Sequence, residues 1–337
     1  MLDNLNAKTY DLRSVSHIND NFVAQRNGIF KFKRPNCYMI LNGMDGGNEA
    51  YMTIELIRGH YEECRIFGSL RKWYHGALSD KDLRWNEEID AFTQLAEKLE
   101  ISYEDLCKFN LSKIEIGLNC KIDYDSTYTK TQIVGFRSTS YKIMDGEGYR
   151  LFSTKTKDKT AKVYDKKNEI RSKMKLIKGV EELDFIKQSK DLNIFRCEFT
   201  IQNGKAKLKK ELGIETIEDL ITHYPRLLAY FLRNVGLFQL NDNSRLEFIP
   251  TKGTTKELTG YLLRDSINSH GAVGIRGLIS QLAPKHRREA RRRIKELQVN
   301  TGATNHLKTD IIQSLKKQSI DLFRNENQLG TNTNIKI

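Results

Sequence analysis

The sequence has no long apolar run and no cysteine pairs, and each absence excludes a class of protein. No run of about 18 apolar residues occurs, so no membrane-spanning helix and no membrane partner are expected. No N-terminal secretion signal with a charged region, an apolar stretch and a small-residue cleavage site is visible, so we expect a cytoplasmic protein. The five cysteines are scattered and never spaced as C-x-x-C, which disfavours structural zinc and a disulfide framework.

Motifs for nucleotide hydrolysis and for histidine-bound metals are also missing. No G-x-x-x-x-G-K-[ST] stretch occurs, so the chain shows no sign of an ATP-driven motor of its own. No second histidine lies at His-x-His spacing from His60, so a structural or surface role is favoured for this residue over a role as a metal ligand.

Positive charge, in contrast, is abundant. The 337 residues carry 56 Lys and Arg against 43 Asp and Glu, which gives a net charge of +13. Such an excess favours a polyanionic partner, with nucleic acid ahead of a membrane surface or of simple solubility. The length suggests about two domains, and a hydrophobic content of 39% is enough for a real core.

Three distant segments alternate apolar and polar side chains with a period of two, which is typical of half-buried strands. They are Lys113–Asn119, Ala161–Lys167 and Ile194–Ile201. If the three strands are neighbours in one sheet, its open face collects a group of polar and ionisable side chains. These are Glu115, Lys162, Tyr164, Lys166, Arg196 and Glu198. The alternative is ordinary strand surface, since half-exposed strands often carry Glu, Lys and Tyr on the wet face.

This set of side chains suits phosphodiester chemistry. Carboxylate oxygens can hold a divalent cation that polarises a phosphate, while cationic side chains offset the charge that develops as the bond breaks. A tyrosine hydroxyl can attack phosphorus and form a covalent ester with DNA, which divides one difficult step into two.

Two further regions are dense in basic residues. The first, Lys155–Lys178, is interpreted either as a track for DNA phosphates beside Tyr164 or as a solvated face or mobile loop. Its candidate DNA-binding residues are Lys155, Lys157, Lys159 and Lys162. The second, Lys285–Leu297, is predicted to be a basic amphipathic helix that contacts duplex DNA, with a solvated surface helix as the alternative. Its candidate DNA-binding residues are Arg287, Arg288, Arg291, Arg292 and Arg293.

The predicted fold class is α+β, with an antiparallel sheet, covering helices and a helical basic C-terminal region. Ala50–Leu70 is predicted to form two paired strands, and the spacing of apolar residues in Asp80–Cys107 predicts a helix over the apolar side of the sheet. We expect a catalytic domain over residues 1–240, a basic helical DNA-binding region over 256–325 and a disordered tail over 326–337. Asn241–Thr255 is the predicted linker or hairpin.

With these residues identified, the chain resembles the rolling-circle replication initiators of phages and plasmids, in particular the filamentous-phage gene II protein type. The resemblance spans about Ile54 to Gly213 and depends on four landmarks in order. They are GSLRKWYHG at Gly68–Gly76, Lys113-Ile114-Glu115, Val163-Tyr164-Asp165-Lys166, and Arg196-Cys197-Glu198 followed by Leu208-Lys209-Lys210.

The resemblance implies a site-specific nickase and religase of origin DNA. In such an enzyme Tyr164 would become linked to the 5′ phosphate at the nick and leave a 3′ hydroxyl for a polymerase. Glu115 and Glu198 would hold Mg²⁺ or Mn²⁺, while Lys166 and Arg196 would neutralise the scissile phosphate. The implied partners are origin DNA, a host helicase and a polymerase, in a bacterial cell that carries the gene on a phage or plasmid.

Departures from the family pattern leave several points open. Glu115 stands where the family has Asp, Lys113 where it has Arg, and no His-hydrophobic-His pair is present. The third metal ligand is therefore unassigned, with Glu55, His60, His75 and Asp123 as candidates. Tyr141 or Tyr149 could be a second nucleophile, although a packing or hydrogen-bonding role is favoured for both.

Two other functions compete with this interpretation. In a metal-dependent nuclease or transposase, Glu115 and Glu198 would hold the ion, water would be the nucleophile and Tyr164 would be dispensable. In a non-enzymatic nucleic-acid-binding protein, the charged strands would only track phosphates and no metal would be needed.

Overall fold

The structure is a computed structural model, and it describes most of the chain up to residue 323. The described residues are 1–11, 29–31, 36–42, 50–57, 62–122, 129–130, 132–136, 142–146, 148–154, 158–174, 193–202, 205–240, 279, 282–299 and 306–323. The predicted linker Asn241–Thr255 and the predicted tail at 326–337 lie outside these residues.

The described strands form one large sheet and one small one. The strands are β1 (Leu2–Thr9), β2 (Ile29–Lys31), β3 (Cys37–Leu41), β4 (Tyr51–Ile57), β5 (Glu63–Ser69), β6 (Asn110–Ile122), β7 (Ile133–Phe136), β8 (Lys142–Gly146), β9 (Tyr149–Ser153), β10 (Lys159–Asp165), β11 (Asn193–Gln202) and β12 (Phe238–Leu240). The large sheet has the order β2-β3-β4-β5-β1-β6-β11-β10-β9-β8, and β12 pairs with β7. Every pair of neighbouring strands is antiparallel.

Helices connect and cover these strands. They are α1 (Leu70–His75), α2 (Trp85–Leu99), α3 (Tyr103–Cys107), α4 (Lys166–Met174), α5 (Lys205–Leu212), α6 (Ile217–Thr222), α7 (Tyr224–Val235), α8 (Pro284–Val299) and α9 (His306–Phe323). The predicted α+β class with an antiparallel sheet and covering helices is therefore confirmed. Within the described residues, no helix is long and apolar enough to cross a membrane.

Most of the predicted elements are present, with one helix divided in two. The two strands predicted in Ala50–Leu70 are β4 and β5, which pair directly. The helix predicted over Asp80–Cys107 is instead two helices, α2 and α3. They are separated because Glu100 adopts a left-handed conformation with φ of 55°, which ends α2, and Ser102 then caps α3 by accepting a hydrogen bond from the Asp105 amide.

The period-two pattern sorts the central strands into two faces. Ile114, Ile116 and Leu118 of β6 are completely buried, as are Phe195 and Cys197 of β11, as their alternation predicts. Helices and the small sheet cover this apolar face: Phe199 of β11 contacts Phe231 of α7 and Phe136 of β7. All five cysteines are free and buried.

The last described helix, α9, packs on the central sheet. Ser314 donates a hydrogen bond of 2.9 Å to the Lys121 carbonyl of β6, and Ile311 and Leu315 are buried. Part of the segment predicted as a separate C-terminal region therefore contributes to the core of the sheet.

Strand β1 was missing from the sequence prediction, yet it lies in the middle of the sheet between β5 and β6. Its pairing with β6 shifts register between Leu2 and Asn4, so that Asp3 is the extra residue of a bulge. Bulges redirect a side chain relative to the regular alternation. The bulge turns Asp3 toward the polar side of the sheet, where it joins the residues described below.

Candidate active site

Strand register brings the predicted site residues onto one face of the sheet. Glu198 of β11 lies opposite Gly117 of β6, Thr200 lies opposite Glu115, and Arg196 lies opposite Tyr164 of β10. Directly opposed residues of antiparallel strands project from the same face. The polar face predicted from three separate segments is therefore present.

This face was expected to be open, and that expectation was wrong. Arg196 and Lys166 are both 0% exposed, and Tyr164 and Glu198 are nearly as buried. Arg71 on α1, Asp82 before α2 and the side chains of α4 pack over the face, so β11 is buried on both sides. Lys166 also belongs to the first turn of α4 and not to the strand.

Three carboxylates from three adjacent strands converge beneath this cover. One oxygen each from Asp3, Glu115 and Glu198 lies within 4.8 Å of the other two, an arrangement that could hold a metal ion. Carboxylate oxygens are preferred ligands of Mg²⁺ and Mn²⁺. The third ligands considered from the sequence, Glu55, His60, His75 and Asp123, do not include Asp3.

Arg196 joins the two outer carboxylates of this site. Its Nη2 donates to Asp3 at 2.6 Å, its Nε donates to Glu198 at 2.8 Å, and its Nη1 donates to Asp82 at 2.6 Å and to Asn119 at 3.0 Å. Although burial alone would raise the pKa of Asp3, Arg71 and Arg196 hold that pKa well below its usual range. All three guanidinium nitrogens of Arg196 are thus bonded to protein groups.

Glu115 is the carboxylate with the least compensation. Its Oε2 accepts a hydrogen bond of 2.9 Å from Thr200. Burial, together with the nearby charges of Glu198 and Asp3, raises the pKa of Glu115 to about 7. A cation bound to the triad would favour the ionised form of Glu115 and oppose this shift.

Tyr164 is joined directly to this acidic site. Its hydroxyl donates a hydrogen bond of 2.7 Å to Glu198 Oε1. Burial, followed by the charge of Glu198, raises the pKa of Tyr164 well above its usual range, so the phenol is protonated in this arrangement. The Lys162 ammonium lies 4.6 Å from the centroid of the Tyr164 ring and 3.9 Å from Glu198 Oε2.

A cluster of cations adjoins the tyrosine on the other side. Lys166 Nζ donates to Glu169, which also accepts from Lys173 and, at 3.5 Å, from Lys72. Burial and the nearby Arg71 charge lower the pKa of Lys166 to about 7. The Nη2 atom of Arg71 is buried and has no hydrogen-bond partner among the described residues. Positive charge is thus available beside Tyr164.

The absence of a side chain at Gly117 makes room for the site. A Cβ atom at this position would lie 2.7 Å from Arg196 Nη2 and 2.8 Å from Glu198 Cγ. Contacts this short do not occur, so any other residue here would displace Arg196 or Glu198.

Several predicted residues lie away from this centre. Lys159 points to the opposite face from Tyr164 and pairs with Glu211 at 2.6 Å. Glu55 lies 3.6 Å from Arg65, and His75 lies 3.3 Å from Glu87.

The basic helix forms as predicted. On α8 (Pro284–Val299), Arg288, Arg291 and Arg292 are exposed, and Arg287 is half-buried with its Nε donating to the Leu282 carbonyl. Some predicted residues lie outside the residues or side chains that the structure describes. They are His60, Asp123, Tyr141, Lys155, Lys157 and the side chain of Arg293.

Asp3 was missed because the signal for its role is weak. The segment Leu2–Thr9 does alternate, with Leu5 and Ala7 buried and Asn6 and Lys8 more exposed. A lone acidic residue at the start of such a strand, between Leu2 and Asn4, is the one available hint. The bulge that directs its carboxylate toward Glu115 depends on pairing with β6 and cannot be read from local sequence.

Comparisons with known proteins add a distant likeness to a solved structure. No protein-family model and no curated protein matches the chain. Among solved structures, the chain is similar to a rolling circle replication initiator protein from Geobacillus stearothermophilus, with 12% sequence identity over 77% of this chain and 89% of that chain. The TM-score of this likeness is 0.37.

Proposed function

We propose that this chain initiates rolling-circle DNA replication by nicking and rejoining one strand of origin DNA through a covalent bond to Tyr164. One observation carries the proposal: the Tyr164 hydroxyl lies 2.7 Å from a carboxylate oxygen of Glu198, which is itself one of three converging carboxylates. A tyrosine nucleophile next to a cation site is the arrangement that strand transfer through phosphotyrosine requires.

In the nicking step, the Tyr164 oxygen attacks phosphorus as its proton passes to Glu198 Oε1. The bond between phosphorus and the 3′ oxygen breaks, and that oxygen takes up a proton to become a 3′ hydroxyl. The 5′ phosphate stays on Tyr164, so the energy of the broken bond is retained in the ester. The reverse reaction can then rejoin the strand without ATP.

Asp3, Glu115 and Glu198 would hold Mg²⁺ or Mn²⁺ in this enzyme. The donor set fits, because it consists of three converging carboxylate oxygens. The cation, when bound, would withdraw charge from the scissile phosphate. Asp3 would supply the third ligand that the sequence left unassigned.

Arg196 and Lys166 would have different tasks. Because every guanidinium nitrogen of Arg196 is already bonded, we propose that Arg196 orients Asp3 and Glu198 and does not itself contact the phosphate. Lys166, Lys162 and the unpartnered Nη2 of Arg71 would then neutralise the phosphate.

Origin DNA would be the partner of the basic surface. The exposed Arg288, Arg291 and Arg292 on α8 suit contacts with the phosphates of duplex DNA. Since the sequence has no phosphate-binding loop of the G-x-x-x-x-G-K-[ST] type, strand separation would depend on a host helicase and synthesis on a host polymerase. A phage or plasmid in a bacterial cell is the proposed source of the gene.

The test is an adduct assay with the full chain. The protein is incubated with Mg²⁺ or Mn²⁺ and with 5′-labelled or 3′-labelled single strands from its own replicon, then run on a denaturing gel. We expect a slow protein–DNA band that retains the 3′ label and is lost in Tyr164→Phe. Tyr149→Phe is the matched control, because it removes a hydroxyl from the opposed residue on β9.

Other outcomes favour the competing functions. Cleavage that persists in Tyr164→Phe without an adduct would support a nuclease or transposase that uses water. Tight binding without cleavage, strengthened by Glu115→Gln and Glu198→Gln, would support a protein that only binds nucleic acid.

A further inference from the structure

An exposed aromatic ring lies beside Tyr164 on the polar face. Tyr149 of β9 is the direct cross-strand partner of Tyr164, so the two side chains project from the same face. Unlike the buried Tyr164, Tyr149 is 36% exposed. The Lys162 ammonium lies 5.2 Å from the centroid of the Tyr149 ring and 4.6 Å from that of Tyr164. The Lys162 ammonium therefore lies close both to the accessible ring of Tyr149 and to the proposed nucleophile, Tyr164.

The orientation of the Tyr149 ring is set by the edge strand. Gly146 of β8 pairs with Tyr149, and a Cβ atom on Gly146 would collide with the Cζ and Cε1 atoms of that ring. The ring thus lies across the backbone of Gly146, in space that only glycine leaves free. An aromatic ring that is held in position before binding loses little conformational entropy when a ligand stacks on it.

We infer that Tyr149 and Lys162 form a stacking platform for one nucleobase of single-stranded DNA next to the scissile phosphate. This inference rests on the proposed function of Tyr164. Proteins that hold single strands combine aromatic rings, on which bases stack, with cations that follow the backbone. Here the base would stack on Tyr149, and the Lys162 ammonium would face the phosphate between that nucleotide and Tyr164.

The same geometry argues against Tyr149 as a second nucleophile. The carboxylates belong to β1, β6 and β11, and β9 is one strand farther from β11 than β10 is. Adjacent strands are about 4.8 Å apart. A phosphate within reach of Tyr164 and Glu198 would therefore lie a strand's width beyond Tyr149, at the distance of a neighbouring nucleotide.

The test is the affinity of the full chain for fluorescein-labelled dT20, measured by anisotropy in EDTA. We expect Tyr149→Ala to weaken binding by about tenfold, the typical effect of losing one stacked base. Tyr149→Phe, which keeps the ring, should bind within about twofold of wild type on the same reasoning. Gly146→Ala, which displaces the ring but keeps Tyr149, should weaken binding in the same direction as Tyr149→Ala.

A 20-base-pair duplex provides the matched ligand control, because its bases are already stacked. Tyr149→Ala should leave duplex affinity unchanged. The inference is overturned if Tyr149→Ala binds dT20 as wild type does, if duplex binding falls equally, or if Tyr149→Phe loses as much as Tyr149→Ala. Thermal melting of each variant identifies a loss of folding. If Tyr149→Ala is unfolded, Gly146→Ala keeps the test valid, because it displaces the ring without removing it, and dT20 binding equal to that of wild type in this variant would overturn the inference.

The position of the stacked base is tested separately, once the adduct assay has located the nick. With 2-aminopurine beside the scissile phosphate, we expect fluorescence quenching in Tyr164→Phe that is lost when Tyr149→Ala is added. If quenching at every position beside the nick persists after Tyr149→Ala is added, the proposed location of the stacked base is refuted. Since the dT20 assay needs neither metal nor cleavage, a failed adduct assay removes the nickase proposal and leaves the stacking result to be judged alone.

Discussion

Replacing Glu115 by Gln should stabilise the metal-free protein, and more so as the pH rises. Burial and two neighbouring carboxylates raise the pKa of Glu115 from the ordinary 4.5 to about 7. The folded chain thus keeps a proton on Glu115 through a pH range in which the unfolded chain has lost it. The contribution of Glu115 to the free energy of unfolding is fully present below pH 4.5 and is lost as the pH rises through about 7.

The size of the expected stabilisation follows from the pKa shift of Glu115. A shift of 2.5 pKa units, the difference between 7 and 4.5, corresponds to about 3 kcal/mol when the carboxyl is fully ionised. Glu115 is only part-buried, so screening by water makes this an upper value. The Gln side chain does not ionise, but it is close in shape to the protonated carboxylic acid. The difference in unfolding free energy between Glu115→Gln and wild type should therefore grow by about 2 kcal/mol between pH 5 and pH 8.

The assay is urea unfolding of both proteins in EDTA at pH 5, 6, 7 and 8, followed by circular dichroism. Groups far from Glu115 titrate alike in both proteins and cancel in the difference, and the value at pH 5 is the internal control. A difference that stays constant or shrinks with rising pH would refute the reasoning that burial and the neighbouring carboxylates keep Glu115 protonated. Repeating the series with Mn²⁺ should stabilise wild type at pH 8 and stabilise Glu115→Gln less, because a ligand that binds the folded state adds to its stability.

Three further predictions concern the groups around the triad. Gly117→Ala should lower stability by about 1 to 3 kcal/mol and abolish nicking, because its Cβ would displace Arg196 or Glu198; retained activity in the adduct assay would contradict this. Arg196→Met should cost about 3 to 5 kcal/mol in urea unfolding, since it leaves buried carboxylates unpaired, and a loss below about 1 kcal/mol would show that they do not depend on it. The nicking rate should fall as the pH rises through about 7, where Lys166 loses its proton, and Lys166→Arg should move that fall to higher pH; an unchanged profile would exclude Lys166 as the titrating group.

Local sequence was sufficient to predict which side chains share a face. The pleat of a strand has a period of two wherever the strand lies, so Glu115, Tyr164 and Glu198 were assigned correctly to the polar side before any pairing was known. The pairing of β4 with β5 and the helical character of α2 followed in the same way from alternation and from helical spacing.

The tertiary structure decided which of these side chains are exposed and which groups they contact. Whether the polar face is open depends on which elements pack over it, and α1 comes from a distant part of the chain. Arg196 was predicted to contact a phosphate, but Asp3 and Asp82, at 193 and 114 residues' separation, occupy its nitrogens. No local pattern reports such contacts.

Asp3, the third carboxylate, shows most clearly what the sequence determines and what only the tertiary structure decides. The sequence by itself determined that Glu115 and Glu198 lie on one face, because that follows from the geometry of a single extended backbone. Only the tertiary structure decided that Asp3 completes the set, since β1 must first insert between β5 and β6 and then bulge against β6. Strand order and register are properties of the paired sheet, and together they bring the three carboxylates to one place.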